Sequence, residues 1–342
     1  MSFLQKALVH LALSRPSDAL IKESGGTPRV QRGRTLDPRF QFLEAQARKR
    51  PSNWDAITAA DIRAQTNAMV DMFGGALPGG VRTEQIYIGG RSHSVPARLY
   101  LPVVRDNTAA MMVYYHFGGG VIGTMECCHR LCGLIAKASG APVLSVDYRL
   151  APEHKFPAGL EDCMTAYNWA LENAARYGAP AGKAAVGGDS MGGYFSAIVA
   201  QQTRGKNAPV LQLLIYPAVD LVSDSASMRD FGDAFPLTKE TVEFFTREYL
   251  PAGADMNDLR VAPGREQNLS GLAPALVYTA GFDMLVDQGE DYANRLRAAG
   301  VKASYHCFDS LPHGFVAFPT AAPAAEQAIQ RIARDTAAAL KV

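Results

Sequence analysis

The sequence predicts an α/β fold in which helices cover both faces of a mostly parallel sheet. Its central region alternates short apolar runs with segments of helical length, the order expected for strands that are joined by crossover helices. The later apolar runs are almost continuous, as strands covered on both faces must be. The first two runs follow each other without a helix, so we expect an antiparallel hairpin at one edge of the sheet.

Eight strands and five main helices are predicted in this region. The strands cover residues 84–88, 94–101, 110–116, 142–148, 184–188, 210–216, 275–280 and 303–308. The helices cover residues 127–139, 160–177, 191–203, 288–299 and 324–340. The fourth helix ends in RLRAAG, where Gly300 is placed as a C-terminal stop.

Two regions depart from the alternation and predict a helical lid. One is the N-terminal stretch, and the other is an insertion between the sixth and seventh strands. The insertion contains the helix TKETVEFFTREYL, with Thr238 and Thr241 as candidate caps. The predicted organisation is a lid from 1–50 and 220–272, and a core from 51–219 and 273–342.

Composition and charge exclude several classes of protein. Hydrophobic residues make up 48% of the 342 residues, and the formal net charge is +1, so we expect no nucleic-acid partner. No apolar run reaches the roughly 18 residues of a membrane span. The N-terminal FLQKALVHLALS fits one face of a helix of the mature protein better than an export signal.

The five cysteines predict free thiols and a cytoplasmic location. Cys127, Cys128 and Cys132, with His129 among them, raise the alternative of a zinc site. Their spacing fits no standard pair of C-x-x-C motifs, and they lie in a predicted helix. We therefore interpret them as small buried hydrophobic residues and predict no metal.

The segment GGDSMGGY carries the sharpest chemical signal. Gly188 to Gly192 read G-x-S-x-G, after a predicted strand and at the start of a predicted helix. This context places Ser190 on a tight turn with its oxygen exposed, where flanking glycines avoid a clash. The sequence therefore predicts Ser190 as a nucleophile, which needs a base nearby.

Candidate partners for this serine follow it in the order acid and then histidine. Asp283 lies just after the seventh strand, and His313 follows the last strand in a short loop bounded by Pro and Gly. The carboxyl ends of parallel strands meet at one edge of the sheet, beside the serine turn. Asp287 and Asp309 are rival acids, and we prefer Asp283 because it lies nearest the strand end.

The loop YYHFGGGVIGTME supports two interpretations. Gly118, Gly120 and Gly123 match the dinucleotide fingerprint G-x-G-x-x-G, and Asp147 ends the next strand, where a ribose-binding acid would lie. A histidine followed by glycines also describes a loop whose N–H groups stabilise an oxyanion. A second oxyanion donor would be the backbone N–H of Met191.

These motifs together resemble the hormone-sensitive-lipase-like family of α/β-hydrolases, in its bacterial esterase branch. The matching stretches are HFGGGVIG, DYRLAPEHKFPAGLEDC, GGDSMGGY, GFDMLVDQGEDYANRLRAAG and PHGF, over about residues 110–316. The resemblance implies an α/β-hydrolase fold with a helical cap, hydrolysis of carboxylic esters and no metal or organic cofactor.

The resemblance also assigns roles to single residues. It makes Ser190 the nucleophile, His313 the general base and acid, and Asp283 the residue that orients the histidine. Glu153 and Asp162 match positions that brace the site. His116 likewise matches a position that anchors the glycine loop.

Two departures from the family pattern concern the oxyanion hole. The family reads His-Gly-Gly-Gly followed by an aromatic residue, whereas this chain reads His-Phe-Gly-Gly-Gly. Alignment from the histidine makes Gly118 and Gly119 the donors, with Gly120 as the alternative. Met191 replaces the usual alanine, which leaves its N–H unchanged but alters the neighbouring volume. Three residues are predicted to line the substrate pocket, namely Phe117, Tyr194 and Phe235.

The resulting prediction is a serine carboxylesterase that hydrolyses short- to medium-acyl esters of small molecules. An amidase, a lactonase or a deacetylase would use the same three residues, because acyl-transfer chemistry is shared. A non-catalytic ligand receptor on the same scaffold is disfavoured, because the serine, acid and histidine are all present. A dinucleotide enzyme would leave those three residues unexplained. A homodimer through an edge strand or a helix is a further hypothesis.

Overall fold

The computed structural model describes residues 3–89 and 93–342. Its helices are α1 (Phe3–Leu13), α2 (Ser17–Glu23), α3 (Pro38–Arg48), α4 (Ala59–Phe73), α5 (His129–Ser139), α6 (Ala158–Asn173), α7 (Met191–Gln202), α8 (Ala226–Asp230), α9 (Lys239–Tyr249), α10 (Val286–Ala298) and α11 (Pro323–Ala339). Its strands are β1 (Val30–Gln31), β2 (Arg34–Thr35), β3 (Val81–Gly89), β4 (Ser94–Pro102), β5 (Met111–Tyr115), β6 (Val143–Val146), β7 (Ala184–Asp189), β8 (Gln212–Ile215), β9 (Ala275–Phe282) and β10 (Ala303–Pro312).

The main sheet contains eight strands in the order β3-β4-β6-β5-β7-β8-β9-β10. Within the described residues, β4 pairs antiparallel with both of its neighbours, and the remaining strand pairs of this sheet are parallel. The predicted mostly parallel, eight-stranded sheet and its edge hairpin are therefore confirmed. The short hairpin of β1 and β2 lies in the N-terminal stretch and was not predicted.

Alternating side chains of β5 explain why this strand is apolar along its whole length. Met112 and Tyr114 belong to a core cluster that includes residues of α5 and α11. Met111, Val113 and Tyr115 belong to a second cluster, which includes residues of α6 and α7. All five residues are 0% exposed. Helices thus cover both faces of the sheet, as its apolar strands require.

Both regions outside the alternation contain helices, and their role as a lid stays a prediction. Thr238 caps α9, because its side chain accepts a hydrogen bond from the backbone N–H of Thr241. Thr241 is therefore inside the helix and is not the cap. In α1 the predicted apolar face lies in solvent, since Leu4, Leu8 and Leu11 are 67%, 57% and 66% exposed. None of the described helices combines the length and hydropathy that a membrane crossing requires.

The functional end of the sheet is the edge at which its parallel strands terminate. Here β5 leads into the glycine loop, β7 into Ser190, β9 into Asp283 and β10 into His313. Strand β8 begins at Gln212 rather than at residue 210, and it ends before Tyr216, which has a φ of 35°. The loops that follow the parallel strands are therefore gathered at one edge, which is where ligands bind in open parallel sheets.

Candidate active site

The turn that carries Ser190 joins β7 directly to α7. Ser190 has φ 55° and ψ −114°, a strained conformation of the kind that clusters at functional sites. A Cβ on Gly192 would lie 1.9 Å from the carbonyl oxygen of Tyr115, and one on Gly188 would lie 2.4 Å from the carbonyl carbon of Gly192. The two glycines of G-x-S-x-G are therefore a steric requirement of this turn.

The three residues expected to carry the chemistry lie in one chain of hydrogen bonds. Ser190 Oγ lies 3.0 Å from His313 Nε2, and Asp283 Oδ2 lies 2.8 Å from His313 Nδ1. Asp283 also accepts a hydrogen bond of 2.9 Å from the backbone N–H of Leu285. The three residues are at most 8% exposed. In this arrangement the histidine can take the serine proton while the carboxylate holds the ring in the required tautomer.

The two rival acids have other partners. Asp287 accepts hydrogen bonds from the backbone N–H of Ser227 at 2.7 Å and from Arg32 at 2.8 Å. Asp309 accepts one from Arg34 at 2.9 Å and has a side chain that is 69% exposed. Among the described contacts of these two carboxylates, none reaches the histidine.

The glycine loop follows β5 and borders the same site as Ser190. Gly118, Gly119 and Gly120 have φ values of 123°, 62° and 72°, a run of left-handed conformations that favours glycine. Gly118 and Gly119 line the same cavity as Ser190 and Met191, whereas Gly120 does not line it. A Cβ on Gly120 would instead lie 2.5 Å from the ring of Tyr249.

His116 anchors the beginning of this loop from within the core. Its Nδ1–H donates to the carbonyl oxygen of Phe117 at 2.7 Å, and its ring stacks on that of Tyr148 at a centroid distance of 4.3 Å. Burial lowers the pKa of His116 to about 4, so the ring is neutral at physiological pH. Its Nε2 has no hydrogen-bond partner among the described residues and lies 3.9 Å from Asp147 Oδ1.

Arg63 of α4 holds the far end of the loop. It donates to the carbonyl oxygen of Val121 at 2.8 Å, to that of Ala151 at 2.7 Å, and to both oxygens of Glu153 at 2.7 Å. The hydrogen bond from Arg63 lowers the pKa of Glu153 to about 2. The Ala151 N–H in turn donates to the Gly120 carbonyl oxygen at 2.8 Å. Glu153 thus supports the loop through an arginine that sequence reasoning did not identify.

Asp162, the other predicted bracing residue, has different partners from Glu153. It is 1% exposed and accepts hydrogen bonds from the Arg149 side chain and backbone and from His93 Nε2. These bonds hold the segment after β6, which also carries Tyr148 under His116.

The geometry of the glycine loop differs from that of a dinucleotide fingerprint. Such a fingerprint opens directly into a helix whose N-terminus faces the pyrophosphate. Here a 3₁₀ turn over Met125–Cys128 follows the loop, and α5 begins only at His129. Asp147 is partly buried, which raises its pKa, and it lies beside His116.

A cavity of about 1380 Å³ opens at Ser190 and His313. Small-molecule sites commonly have volumes of roughly 300–1,000 Å³, so this cavity admits more than a minimal ester. Its walls come from α3, α4, α9 and the loops at the strand ends. Phe117 and Phe235 line the cavity, and their contact with substrate stays a prediction.

Tyr194 is a correction to the predicted pocket. The residue is 0% exposed and does not line the cavity. Its position one turn into α7 directs the ring into the core, at centroid distances of 5.3 Å from Phe195 and 6.3 Å from Tyr249. Its hydroxyl donates to the carbonyl oxygen of Arg260, which satisfies the polar end of the ring.

Two aromatic residues of α9 pack on the glycine loop and were missed in the sequence. A Cβ on Gly119 would lie 2.5 Å from Cγ of Phe245, and Tyr249 occupies the space beside Gly120. The amphipathic pattern of TKETVEFFTREYL indicated an apolar face. This pattern does not indicate that the apolar face of α9 packs against the distant residues Gly119 and Gly120.

The cysteine cluster around the start of α5 is not arranged as a metal site. Cys127, Cys128 and Cys132 are free and buried, and burial raises the pKa of the Cys127 and Cys128 thiols. In the described part of the chain, no group of three or more His, Cys, Asp or Glu side chains is placed to hold a metal ion.

Comparison with known proteins supports the same assignment. A family model described as the alpha/beta hydrolase fold matches residues 112–317. The chain is 40% identical over 304 residues to carboxylic ester hydrolase LipN of Mycobacterium tuberculosis, covering 86% of this chain and 80% of LipN. It is 41% identical over 245 residues to carboxylesterase NlhH of the same organism, covering 69% of this chain and 76% of NlhH.

A solved structure extends the similarity to nearly the whole chain. It is an ester hydrolase from the metagenome of Lake Arreo in complex with a derivative of bipyridine phosphonate. The two proteins superpose with a TM-score of 0.82 at 35% identity, covering 89% of this chain and 98% of the other. The family model, the relatives and the geometry agree, and the chain therefore belongs to the hormone-sensitive-lipase-like family of α/β-hydrolases.

Proposed function

We propose that this protein is a serine carboxylesterase that hydrolyses short- to medium-acyl esters through an acyl-enzyme on Ser190. One observation carries the proposal: Ser190, His313 and Asp283 form a continuous chain of hydrogen bonds that opens into a cavity shared with the glycine loop. The relatives named carboxylic ester hydrolase and carboxylesterase support the same chemistry.

In the acylation step, Ser190 Oγ attacks the carbonyl carbon of the ester. The serine proton passes to His313 Nε2, and Asp283 stabilises the resulting imidazolium through the bond to Nδ1. The tetrahedral intermediate collapses when His313 returns the proton to the leaving alkoxide oxygen. The products of this step are a free alcohol and an acyl-enzyme on Ser190.

In the deacylation step, a water molecule takes the place of the alcohol. His313 accepts a proton from the water as its oxygen attacks the acyl carbonyl carbon. The proton then returns to Ser190 Oγ, which releases the carboxylic acid and restores the enzyme. Each proton in this cycle moves between substrate, water and side chains of the chain itself.

The negative oxygen of both intermediates requires donors that are already in place. We assign this role to the backbone N–H groups of Gly118, Gly119 and Met191, which line the cavity with Ser190. Gly120 is a weaker alternative, because it lies under Tyr249 and outside the cavity wall.

The predicted cap, from 1–50 and 220–272, would shape the acyl and alcohol sites. Its contribution is supported by cavity-lining residues from α3 and α9, although α4 lies beyond residue 50 and also lines the cavity. Phe117, at the start of the glycine loop, and Phe235, in the insertion, would contact substrate there. The cavity is largely apolar, which favours ester substituents without charge.

A panel of nitrophenyl esters of increasing acyl length tests this proposal. The wild type is expected to turn over the shorter esters, and Ser190→Ala is expected to show no turnover while keeping the wild-type circular dichroism spectrum. Ser52→Ala serves as the matched control, because Ser52 lines the same cavity and is exposed. Including an anilide and a lactone of matched acyl length separates an esterase from an amidase or a lactonase. Equal turnover by wild type and Ser190→Ala would contradict the proposal.

The proposal also includes a cytoplasmic location and a homodimer. The cytoplasmic assignment is supported by five cysteines that form no disulfide. A homodimer would use β3 or β10, the two outermost strands of the main sheet, or a neighbouring helix. Sedimentation velocity at micromolar concentration measures that assembly directly.

A further inference from the structure

A second buried carboxylate lies next to the nucleophile and has no part in the mechanism above. Asp189, the last residue of β7, is 0% exposed. Its Oδ1 accepts a hydrogen bond of 3.0 Å from the Tyr114 hydroxyl, and its Oδ2 accepts one of 2.9 Å from the Tyr216 hydroxyl. Burying a charged carboxylate destabilises the folded state even when the charge is paired, so we ask what function Asp189 has beside Ser190.

Tyr216 connects this carboxylate to the histidine. Its ring lies against the ring of His313 at a centroid distance of 4.7 Å, and its hydroxyl accepts a hydrogen bond from the Val316 N–H at 3.3 Å. With that acceptor site occupied, the hydroxyl proton is directed to Asp189. One side chain thus contacts both the buried carboxylate and the ring that must move protons.

The backbone of Tyr216, like that of Ser190, has a positive φ. Among the described residues, three non-glycine residues have positive φ, namely Arg32, Ser190 and Tyr216. The Tyr216 N–H donates to the carbonyl oxygen of Tyr278, and the Ser190 N–H donates to that of Ile215. Two of the three strained residues therefore lie side by side at the active site, which is where stored strain indicates function.

The charges of Asp189 and His313 influence each other. Burial raises the pKa of Asp189 to about 6, and its hydrogen bonds to Tyr216 and Tyr114 and the positive charge of His313 act in the opposite direction. Such an interaction is reciprocal, so the carboxylate favours the imidazolium. The titratable groups that face Asp189 are Tyr114 on β5, Cys127 and Cys128 before α5, Tyr148 after β6, Tyr216 after β8 and His313 after β10.

We propose that Asp189 and Tyr216 are positioning residues for His313, and that the Asp189 carboxylate stabilises the imidazolium formed when Ser190 transfers its proton. This inference rests on the proposed esterase function. The proton moves from Ser190 Oγ to His313 Nε2, while the Nδ1 proton stays on the bond to Asp283. Asp283 then holds the charge from one side of the ring, and Asp189 acts on it through space with Tyr216 between them.

The substitution Asp189→Asn removes the charge and can keep the hydrogen bonds. The amide oxygen can accept from Tyr216, while the amide N–H donates to the Tyr114 hydroxyl, whose oxygen has free lone pairs. Tyr216→Phe removes only the hydroxyl and leaves the ring against His313. Tyr115→Phe is the matched control, since its buried hydroxyl donates to the Cys163 carbonyl oxygen at 2.9 Å on the opposite face of the sheet.

The test compares kcat and KM of these variants on a nitrophenyl acetate between pH 5 and pH 8. At pH 8, Asp189→Asn is expected to lose about tenfold in kcat with KM unchanged, the size expected of a charge acting from beyond direct contact. Tyr216→Phe is expected to lose kcat in the same direction, and Tyr115→Phe to retain it. The ratio of wild-type to Asp189→Asn kcat should shrink as the pH falls below about 6, because the wild-type carboxyl is then neutral as well.

Thermal unfolding at pH 8 supplies a readout that separates positioning from packing. Asp189→Asn is expected to unfold at or above the wild-type temperature, because the variant no longer buries a charge. Loss of kcat at retained stability supports the proposal. A pH-independent kcat ratio, an unchanged kcat in both Asp189→Asn and Tyr216→Phe, or an equal loss in Tyr115→Phe would each overturn it.

The same experiment distinguishes this inference from the esterase proposal. Wild-type turnover that disappears in Ser190→Ala establishes the serine esterase, whatever Asp189→Asn does. An unaltered Asp189→Asn profile in that case overturns only the role of Asp189. Absence of wild-type turnover on every ester overturns both.

Discussion

Replacing Gly119 by alanine is expected to lower kcat by about 10²–10³, the cost of losing one oxyanion donor. Gly119 has a φ of 62°, and a Cβ at this position would lie 2.5 Å from Cγ of Phe245. Two effects therefore act together: a backbone conformation that alanine disfavours, and a collision that shifts either the loop or the ring. Both effects move the backbone N–H groups that we assign as hydrogen-bond donors to the oxyanion of the intermediate.

The magnitude follows from these two contributions. The left-handed conformation costs a residue with a Cβ about 1–2 kcal/mol relative to glycine. The contact of 2.5 Å is shorter than any relaxed carbon–carbon contact, so the loop or the Phe245 ring must move by a substantial fraction of an ångström. Donors displaced from the developing oxyanion lose about 2.7–4 kcal/mol of transition-state stabilisation, while ground-state binding changes little.

The assay is kcat and KM on a nitrophenyl ester, with the free energy of unfolding measured in urea. Gly300→Ala is the matched control, because Gly300 has a φ of 79° and nothing within 4 Å of its ideal Cβ. It should lose a similar 1–2 kcal/mol of stability, about the cost of the conformation alone, and keep its kcat. The double variant Gly119→Ala/Phe245→Ala should recover part of the lost kcat, because the ring no longer blocks the added methyl group.

A folded Gly119→Ala enzyme with kcat within threefold of the wild type would refute the role of the glycine loop as an oxyanion donor. The same conclusion would follow if Gly300→Ala lost kcat to the same extent. A large rise in KM at constant kcat would instead identify Gly119 as a wall of the pocket.

Three further predictions address other parts of the site. Asp283→Asn should lower kcat by about 10⁴ with an unchanged fold, because the amide no longer favours the required tautomer of His313. A loss of kcat below tenfold on a nitrophenyl ester would contradict this role. Met191→Ala, at a residue 1% exposed, should cost about 2 kcal/mol of stability and raise kcat/KM for bulky acyl groups relative to acetate; an unchanged ratio would show that Met191 does not limit the acyl site. Burial lowers the pKa of His116 to about 4 in the folded state, against about 6.5 in the unfolded state. Between these values the unfolded state binds the extra proton. The free energy of unfolding therefore falls by about 3 kcal/mol from this group as the pH drops from 6.5 to 4. His116→Gln should flatten that decline in urea unfolding at pH 7, 5.5 and 4, and an equal slope in both proteins would contradict the assignment.

Residues set by local motifs were predictable from the sequence. Ser190 is fixed by glycines that are two positions away on either side, and the structure gives the steric reason for both. Asp283 and His313 each follow a strand, so the common edge of a parallel sheet brings them to the serine. The sheet itself was predictable because strands buried on both faces must be apolar throughout.

Contacts between distant segments were not predictable from local patterns. Arg63 precedes Glu153 by 90 positions. No spacing rule in the sequence relates helix α4, which carries Arg63, to the glycine loop that the Arg63 guanidinium holds. Tyr216 was assigned to a strand because its neighbours are apolar, whereas its positive φ ends β8 and turns its ring to His313. Tyr194 was predicted to line the pocket, but the first turn of α7 directs its ring into the core.

Covalent labelling of Ser190 tests the central claim most directly. A nitrophenyl phosphonate reacts only with a serine that a neighbouring base activates, and it releases one nitrophenol for each site that it modifies. We expect one label per chain, which mass spectrometry should locate on the peptide that contains Ser190. Ester hydrolysis should be lost in proportion to labelling. Asp283→Asn should react far more slowly, and Ser190→Ala should not react at all. Labelling elsewhere in the chain, or full hydrolysis after complete labelling of Ser190, would contradict the account.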